Sequence, residues 1–219
     1  HSFCDKHTTD GMGAKLKETG FEVVSDEVLA KMSDTKTPQG VLCLVKWPEY
    51  SLDDLLLKRN GVFVVLEDLQ DPGNLGTIIR TGEGAGIAGV IMSRNTVDIF
   101  NPKTIRATMG SIYRVPFFVA EDLAETMKEL QEKGANNINL VTPSHFVPQI
   151  ITALESAKNQ GLTLPIVYNT GSYEKVETIQ ALEGLVDIYL PDCKYLDSKL
   201  AAKYSNAPDY FKVASDAIK

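Results

Sequence analysis

The sequence predicts an α/β fold with a mostly parallel sheet of repeated βα units, preceded by a truncated small N-terminal domain. Two observations lead to this prediction. From 62–67 (VFVVLE) onward, short apolar runs alternate with helix-like segments. Apolar runs without polar alternation are typical of strands buried on both faces, as in parallel sheets. Residues 1–60 differ, because they are polar and hold a single strand-like run at 40–47.

The elements follow in order from residue 62. Asn74 is expected to cap the first helix, which ends at a left-handed Gly86. Asn101 and Pro102 open the next helix as a cap and a first-position proline. The predicted strands are 62–67, 89–93, 115–120, 137–141, 164–169 and 186–190, and the predicted helices are 75–86, 103–110, 122–134, 148–160 and 173–184, followed by two short terminal helices.

Length and composition restrict the protein class. With 219 residues, 43% of them hydrophobic, the chain can form one sizeable domain or two small ones. No apolar run reaches the length of a membrane span and no signal segment is evident, so a cytoplasmic location is expected. Cys4, Cys43 and Cys193 lie far apart and the three histidines are scattered, so we expect no metal site built by the protein.

The charge distribution is uneven. A net charge of −7 argues against a protein that coats nucleic acid non-specifically. Residues 73–119 nevertheless hold five cations against two carboxylates, Glu83 and Asp98. The sequence therefore allows either a local phosphate-binding face or ordinary solvated charges. The five cations are Arg80, Arg94, Lys103, Arg106 and Arg114.

A glycine-rich stretch at 84–89 matches the G-x-G-x-x-G pattern of dinucleotide-binding loops. Such a loop must follow a strand and open a helix, so that the helix N-terminus faces the pyrophosphate. Here the glycines close a predicted helix and lead into a strand. We therefore interpret them as a helix end, and we place the chemistry at 71–76 (DPGNLG), after the first strand of the alternating region.

Two blocks identify a family resemblance. Residues 66–87 (LEDLQDPGNLGTIIRTGEGAGI) and 95–117 (NTVDIFNPKTIRATMGSIYRVPF) closely resemble the SpoU family of RNA ribose 2′-O-methyltransferases, and the resemblance covers about 15–125. The first block holds an Asn followed six residues later by an Arg, which are Asn74 and Arg80. The resemblance implies transfer of a methyl group from S-adenosylmethionine to RNA (rRNA or tRNA), and it is compatible with a homodimer.

The resemblance also implies residue roles. Asn74 and Arg80 would be the catalytic pair, with Asn74 orienting the arginine or contacting the RNA. The family proposals make this arginine a general base. An arginine pKa above about 12 favours electrostatic stabilisation and phosphate binding instead. Arg106 and Ser111 in the second block would contact RNA or help to shape the cofactor side. A helix cap and surface charges are the alternative interpretation of these residues.

Two later motifs of the family are not found in the sequence: a Gly-Asn-Glu-like turn after a strand, and an Ile-Pro strand followed by a Ser-Leu-Asn helix. In the family these motifs form the cofactor pocket and the dimer interface. The sequence therefore implies a methyltransferase with impaired activity. The alternatives are a radical S-adenosylmethionine enzyme fragment and a catalytically silent chimera or RNA-binding module.

The radical-enzyme hypothesis comes from residues 127–219, which resemble a radical S-adenosylmethionine protein of the pyruvate formate-lyase activating enzyme type. The cysteine triplet that holds the iron–sulfur cluster in that family is missing. The expected domains are therefore 1–48 (truncated, substrate-binding-like), 49–126 (SpoU-like) and 127–219 (radical-enzyme-like). The residues that match the cofactor side of these relatives are Asn169, Thr170, Asp192 and Lys194. For Asp192 and Lys194, the alternative to a cofactor role is an ordinary ion pair at the sheet rim.

Overall fold

The computed structural model describes residues 2–5, 8, 20–33, 35, 37–58 and 60–219. It divides into two compact units, 1–121 and 122–219. The α/β class predicted from the sequence is confirmed. The strands form three separate three-stranded sheets in the described part of the chain, rather than one continuous sheet. Local sequence marks where strands occur, but it does not specify which strands pair across the chain.

The first sheet lies at the start of the first unit. It consists of β1 (Ser2–Asp5), β2 (Glu22–Val24) and β3 (Val41–Cys43) in the order β2-β1-β3. Strand β1 pairs with β2 in parallel and with β3 in antiparallel orientation. Helix α1 (Asp26–Met32) follows β2. The truncated domain predicted at 1–48 stays a prediction, and its residues 9–19 lie outside the described residues.

The second sheet holds the SpoU-like blocks. Its strands are β4 (Phe63–Leu66), β5 (Gly89–Ser93) and β6 (Phe117–Ala120), all parallel in the order β4-β5-β6. The helices of this region are α2 (Leu52–Leu56), α3 (Pro72–Ala85) and α4 (Pro102–Thr108). Helices α3 and α4 and a 3₁₀ turn at Ser111–Tyr113 pack against the sheet, and α2 precedes it. The core consists of Leu75, Ile79, Val90, Met92, Ile99, Ile112, Val115 and Phe117.

The start of α3 differs from the prediction. Asp71, not Asn74, is the N-cap, and its carboxylate accepts a hydrogen bond of 2.6 Å from the Asn74 amide. Pro72 then takes the first helical position, where its missing N–H costs nothing. Asn74 is the third residue of the helix. The predicted left-handed end is confirmed, because Gly86 has φ 76°. The glycines at 84–89 therefore close a helix, and the dinucleotide-loop interpretation is excluded.

The third sheet belongs to the second unit. Its strands are parallel in the order β7-β8-β9. The helix predicted at 173–184 is shorter than expected and covers only five residues. The strands are β7 (Ile138–Val141), β8 (Ile166–Thr170) and β9 (Ile188–Pro191). The helices are α5 (Leu123–Glu132), α6 (Val147–Asn159), α7 (Val176–Gln180), α8 (Ser198–Ser205) and α9 (Tyr210–Ile218).

Two glycines of α3 have opposite surroundings, and substitution by alanine should therefore have opposite effects. A Cβ on Gly76 would lie 2.5 Å from the Ala107 Cβ and 2.7 Å from the Thr104 carbonyl oxygen, whereas a Cβ on Gly84 would meet no atom within 4 Å. We predict that Gly76→Ala lowers the free energy of unfolding by about 1–3 kcal/mol, because α4 must move. Gly84→Ala should raise it by about 0.5–1 kcal/mol.

Urea unfolding followed by circular dichroism measures both effects. Equal changes in the two variants would contradict the close helix contact at Gly76.

Candidate functional site

The two predicted catalytic residues lie on the same helix but on different faces. Asn74 and Arg80 are both exposed on α3. Six residues advance an α-helix by about 9 Å and leave the two side chains about 120° apart. The structure therefore does not pair Asn74 with Arg80. The Arg80 guanidinium has no hydrogen bond or ion pair to any described residue, so it is available to an external anion.

The two predicted RNA contacts have different surroundings. Arg106 is exposed on α4, and its guanidinium has no partner among the described side chains. Ser111 is 2% exposed, and its hydroxyl donates a hydrogen bond of 2.5 Å to Oε2 of Glu83. Its hydroxyl is therefore engaged inside the protein rather than presented to a partner.

Glu83 is the centre of a cluster that the sequence did not reveal. Its carboxylate accepts hydrogen bonds from Nε and Nη2 of Arg114 and from Ser111. The bonds from Arg114, then the bond from Ser111, lower the Glu83 pKa to about 2. The same carboxylate raises the Arg114 pKa. Glu83 therefore neutralises one of the five cations and joins α3 to the 3₁₀ turn after α4.

The predicted cofactor residues lie in the second unit and do not form one pocket. Thr170 is buried and its hydroxyl donates to Glu174. Asp192 and Lys194 are exposed and pair with each other at 3.1 Å. Of the four predicted residues, only Thr170 lines the cavity of about 220 Å³ in this unit, and Asn169 is half-buried beside it in β8. The side chains of Thr170, Asp192 and Lys194 thus already bond to protein groups, and the four residues do not line one cavity.

The loop that carries Asp192 and Lys194 is fixed by a buried tyrosine. The Tyr210 hydroxyl lies 2.7 Å from the Gly171 carbonyl oxygen and 2.9 Å from that of Asp192, and it accepts a hydrogen bond from the Lys194 amide. Tyr210 is 3% exposed. These bonds hold the ends of β8 and β9 together, which explains the position of the ion pair at the sheet rim.

A buried carboxylate follows β8. Glu174 is 6% exposed and accepts hydrogen bonds from three hydroxyls, those of Ser144, Tyr168 and Thr170. Burial, and then the bond to Glu174, raise the Tyr168 pKa well above its usual range. No sequence pattern indicates this cluster, because its four members come from a 3₁₀ helix (Pro143–Phe146), the strand β8 and the loop that follows β8. Its hydrogen bonds satisfy the buried charge locally.

Ser172 is strained and its side chain is unsatisfied. It has φ 61°, in the left-handed region that favours glycine, and it is 2% exposed. Its hydroxyl is buried without a hydrogen-bond partner among the described residues. The sequence Gly171-Ser172 thus places the larger residue where the backbone favours the smaller one.

Comparison with known proteins finds a family model that matches a segment spanning parts of both units. Residues 61–156 match the model of the SpoU rRNA Methylase family. The chain is 34% identical over 119 residues to the 23S rRNA (guanosine(2553)-2′-O)-methyltransferase RlmP of Bacillus subtilis, covering 53% of this chain and 46% of that protein. It is 30% identical over 171 residues to an uncharacterized tRNA/rRNA methyltransferase of Synechocystis, and the match covers 74% of this chain and 61% of that protein. The chain thus spans about half to three-fifths of these relatives.

Solved structures support the fold. The SpoU methyltransferase AviRb of Streptomyces viridochromogenes, in complex with S-adenosylmethionine, superposes with a TM-score of 0.57 at 18% identity, covering 99% of this chain and 81% of that one. An S-adenosylmethionine-bound rRNA methyltransferase of Sinorhizobium meliloti superposes with a TM-score of 0.54 at 22% sequence identity, covering 98% of this chain and 78% of that one. At these identities the likeness concerns the fold alone.

The comparisons bear differently on the two resemblances. The SpoU resemblance is confirmed, and the family match continues to residue 156, beyond residue 127 where the radical-enzyme resemblance begins. The comparisons give no support to a fused radical S-adenosylmethionine segment. Within the described residues, no helix is long and apolar enough to cross a membrane.

The Glu83 cluster gives a pH-dependent prediction. Because the folded-state pKa of Glu83 is lowered to about 2, the carboxylate stabilises the fold above its unfolded pKa of about 4.3. That contribution is lost as the pH falls toward 2. We predict that Glu83→Gln lowers the melting temperature at pH 6–7, and that the difference from the parent protein shrinks below about pH 4 and is nearly gone at pH 2. A difference that stays constant from pH 7 to pH 3 would contradict the ionic role of Glu83.

Ser172 gives a prediction about the second unit. We expect Ser172→Gly to raise the free energy of unfolding by about 1–3 kcal/mol, because it removes both the positive-φ strain and the unsatisfied hydroxyl. Ser172→Ala removes only the hydroxyl and keeps the Cβ, so it should stabilise less than glycine does. Urea unfolding of both variants measures the order. Alanine equal to or better than glycine would contradict the backbone strain.

Proposed function

We propose that this chain is a SpoU-type RNA ribose 2′-O-methyltransferase that uses S-adenosylmethionine. The observation that carries the proposal is Arg80. It lies within the family-matched segment, on an exposed face of α3, with a guanidinium that no described residue engages. A guanidinium in this condition can bind a phosphate of the RNA bidentately.

The chemistry assigned to Arg80 is electrostatic. In this transfer the ribose 2′-hydroxyl would give its proton to water as its oxygen bonds to the methyl carbon. The carbon–sulfur bond of S-adenosylmethionine would break, S-adenosylhomocysteine would leave, and negative charge would develop on the attacking oxygen. A fixed cation near the oxygen stabilises this charge more in the transition state than in the ground state. Arginine holds its proton at neutral pH, so it serves better as this cation than as the general base. Asn74 lies on another face of α3 and is proposed as an RNA contact.

We expect impaired turnover. The two later SpoU motifs are missing from the sequence, and three of the four residues predicted to hold the cofactor, Thr170, Asp192 and Lys194, already bond to protein groups. Weak binding of S-adenosylmethionine should therefore limit the reaction. A catalytically silent RNA-binding module is the alternative, and the experiment below separates the two because only an enzyme labels RNA.

Methyl transfer can be measured directly with tritiated S-adenosylmethionine and total tRNA or rRNA. We predict tritium in alkali-resistant dinucleotides, since a 2′-O-methyl group blocks alkaline cleavage at that position. Arg80→Ala should lower kcat/KM by about 100-fold or more, the loss typical of removing one transition-state donor. Arg94→Ala is the matched control, because Arg94 is also exposed but is paired with Glu121.

Two results would contradict this function. One is a folded parent protein that binds RNA but gives no alkali-resistant label at saturating S-adenosylmethionine. The other is an Arg80→Ala variant with the activity of the Arg94→Ala control.

A further inference from the structure

The structure sorts the cations of 73–119 into two groups. Arg94 pairs with Glu121, at 2.5 Å between Nη1 and Oε2, and Arg114 pairs with Glu83. These two arginines are therefore neutralised locally. The other three have no hydrogen bond or ion pair from their charged groups to any described residue, and they are Arg80, Lys103 and Arg106.

These three cations flank the contact between α3 and α4. The helices approach closely at Gly76, where an added Cβ would lie 2.5 Å from the Ala107 Cβ. Arg80 follows Gly76 by four residues, so it lies one turn along the face of α3 that meets α4. Lys103 precedes Ala107 by four residues and lies on the face of α4 that meets α3. The cations thus come from facing sides of one helix pair.

The buried residues show which side of the helix pair faces solvent. Leu75 and Ile79 mark the core side of α3, and Thr104 and Thr108, each 0% exposed, mark that of α4. An α-helix turns by about 100° per residue. On the side of α4 that faces α3, Ala107 is therefore nearest the core, Lys103 comes next and Arg106 is nearest solvent. The solvent side of the helix pair is therefore a groove whose floor is formed by Gly76 and Ala107. The exposed cation Arg80 lies on the α3 wall of the groove, and the exposed cations Lys103 and Arg106 lie on the α4 wall.

We propose that this basic groove, formed by Arg80, Lys103 and Arg106, binds the phosphate backbone of a single RNA strand. The inference rests on the proposed function and extends it, since Arg80 belongs to the reaction site and the two α4 cations hold neighbouring phosphates. Small floor residues let a backbone approach closely. The helices are in contact at Gly76 and Ala107, so the groove lies on their surface, and its three cations can contact neighbouring phosphates of one strand.

The groove makes contacts that position RNA without reading its bases. Arginine and lysine contacts to phosphate fix register but carry no sequence information. Each neutralised phosphate of a single strand adds about 0.7 to the slope of log K against log salt concentration. Lys103 and Arg106 together should therefore contribute about 1.4 to that slope.

The test measures fluorescence anisotropy of a labelled twelve-nucleotide oligouridine RNA with the full chain, from 20 to 200 mM KCl. Lys103→Gln/Arg106→Gln should bind at least tenfold more weakly at low salt, with a slope reduced by about 1.4. Lys103→Arg/Arg106→Lys should keep the parent slope. Arg94→Gln, which removes an ion-paired cation, should also keep it. Thermal melting of each variant confirms that it is folded.

Three outcomes would overturn the groove: no RNA binding by the parent protein at 20 mM KCl, an unchanged slope in the double glutamine variant, or an equal loss in Arg94→Gln. Methyl transfer separates this proposal from the proposed function. Labelling of RNA with an unchanged KM for RNA in the double glutamine variant contradicts the groove alone. A reduced slope in that variant, in a parent protein that labels no RNA, contradicts the methyltransferase alone.

Discussion

The close contact between Gly76 of α3 and Ala107 of α4 is the constraint on which the first unit depends. Two helices that follow successive parallel strands must both cover the same sheet face, and here they do so with their backbones nearly touching. That approach lets Leu75 and Ile79 reach the sheet core. A side chain at residue 76 would separate the helices and open that core.

The same contact determines which charges remain available. With α3 and α4 packed closely, the end of α3 lies beside the turn that follows α4, so Glu83 reaches both Ser111 and Arg114. Arg114 is thereby removed from the set of free cations. Arg80, one turn before Glu83 and on the solvent side, keeps a free guanidinium. An acidic protein can therefore present a small cationic surface, because carboxylates neutralise some of its cations and leave others free.

The sequence predicted the repeating elements well, because buried parallel strands are continuous apolar runs and glycine marks a helix end such as Gly86. It misplaced the cap of α3, since both Asp71 and Asn74 are good caps and only the geometry of Pro72 selects Asp71. It predicted a mostly parallel sheet but not its division into three sheets, because strand pairing depends on contacts distant in sequence. The Glu83 and Glu174 clusters were missed for the same reason: each joins groups from elements that are distant in sequence.

The two units differ in how their polar groups are satisfied, and this bears on the chemistry each can perform. In the second unit Glu174 accepts hydrogen bonds from three hydroxyls and Asp192 pairs with Lys194. Tyr210 fixes the loop that carries this ion pair. A ligand there would have to break bonds that already exist, and each broken bond would lower its affinity. Arg80 in the first unit bears no such cost, because binding a phosphate displaces only water. RNA binding should therefore survive a loss of S-adenosylmethionine binding, since Lys103 and Arg106 contact phosphates without the cofactor.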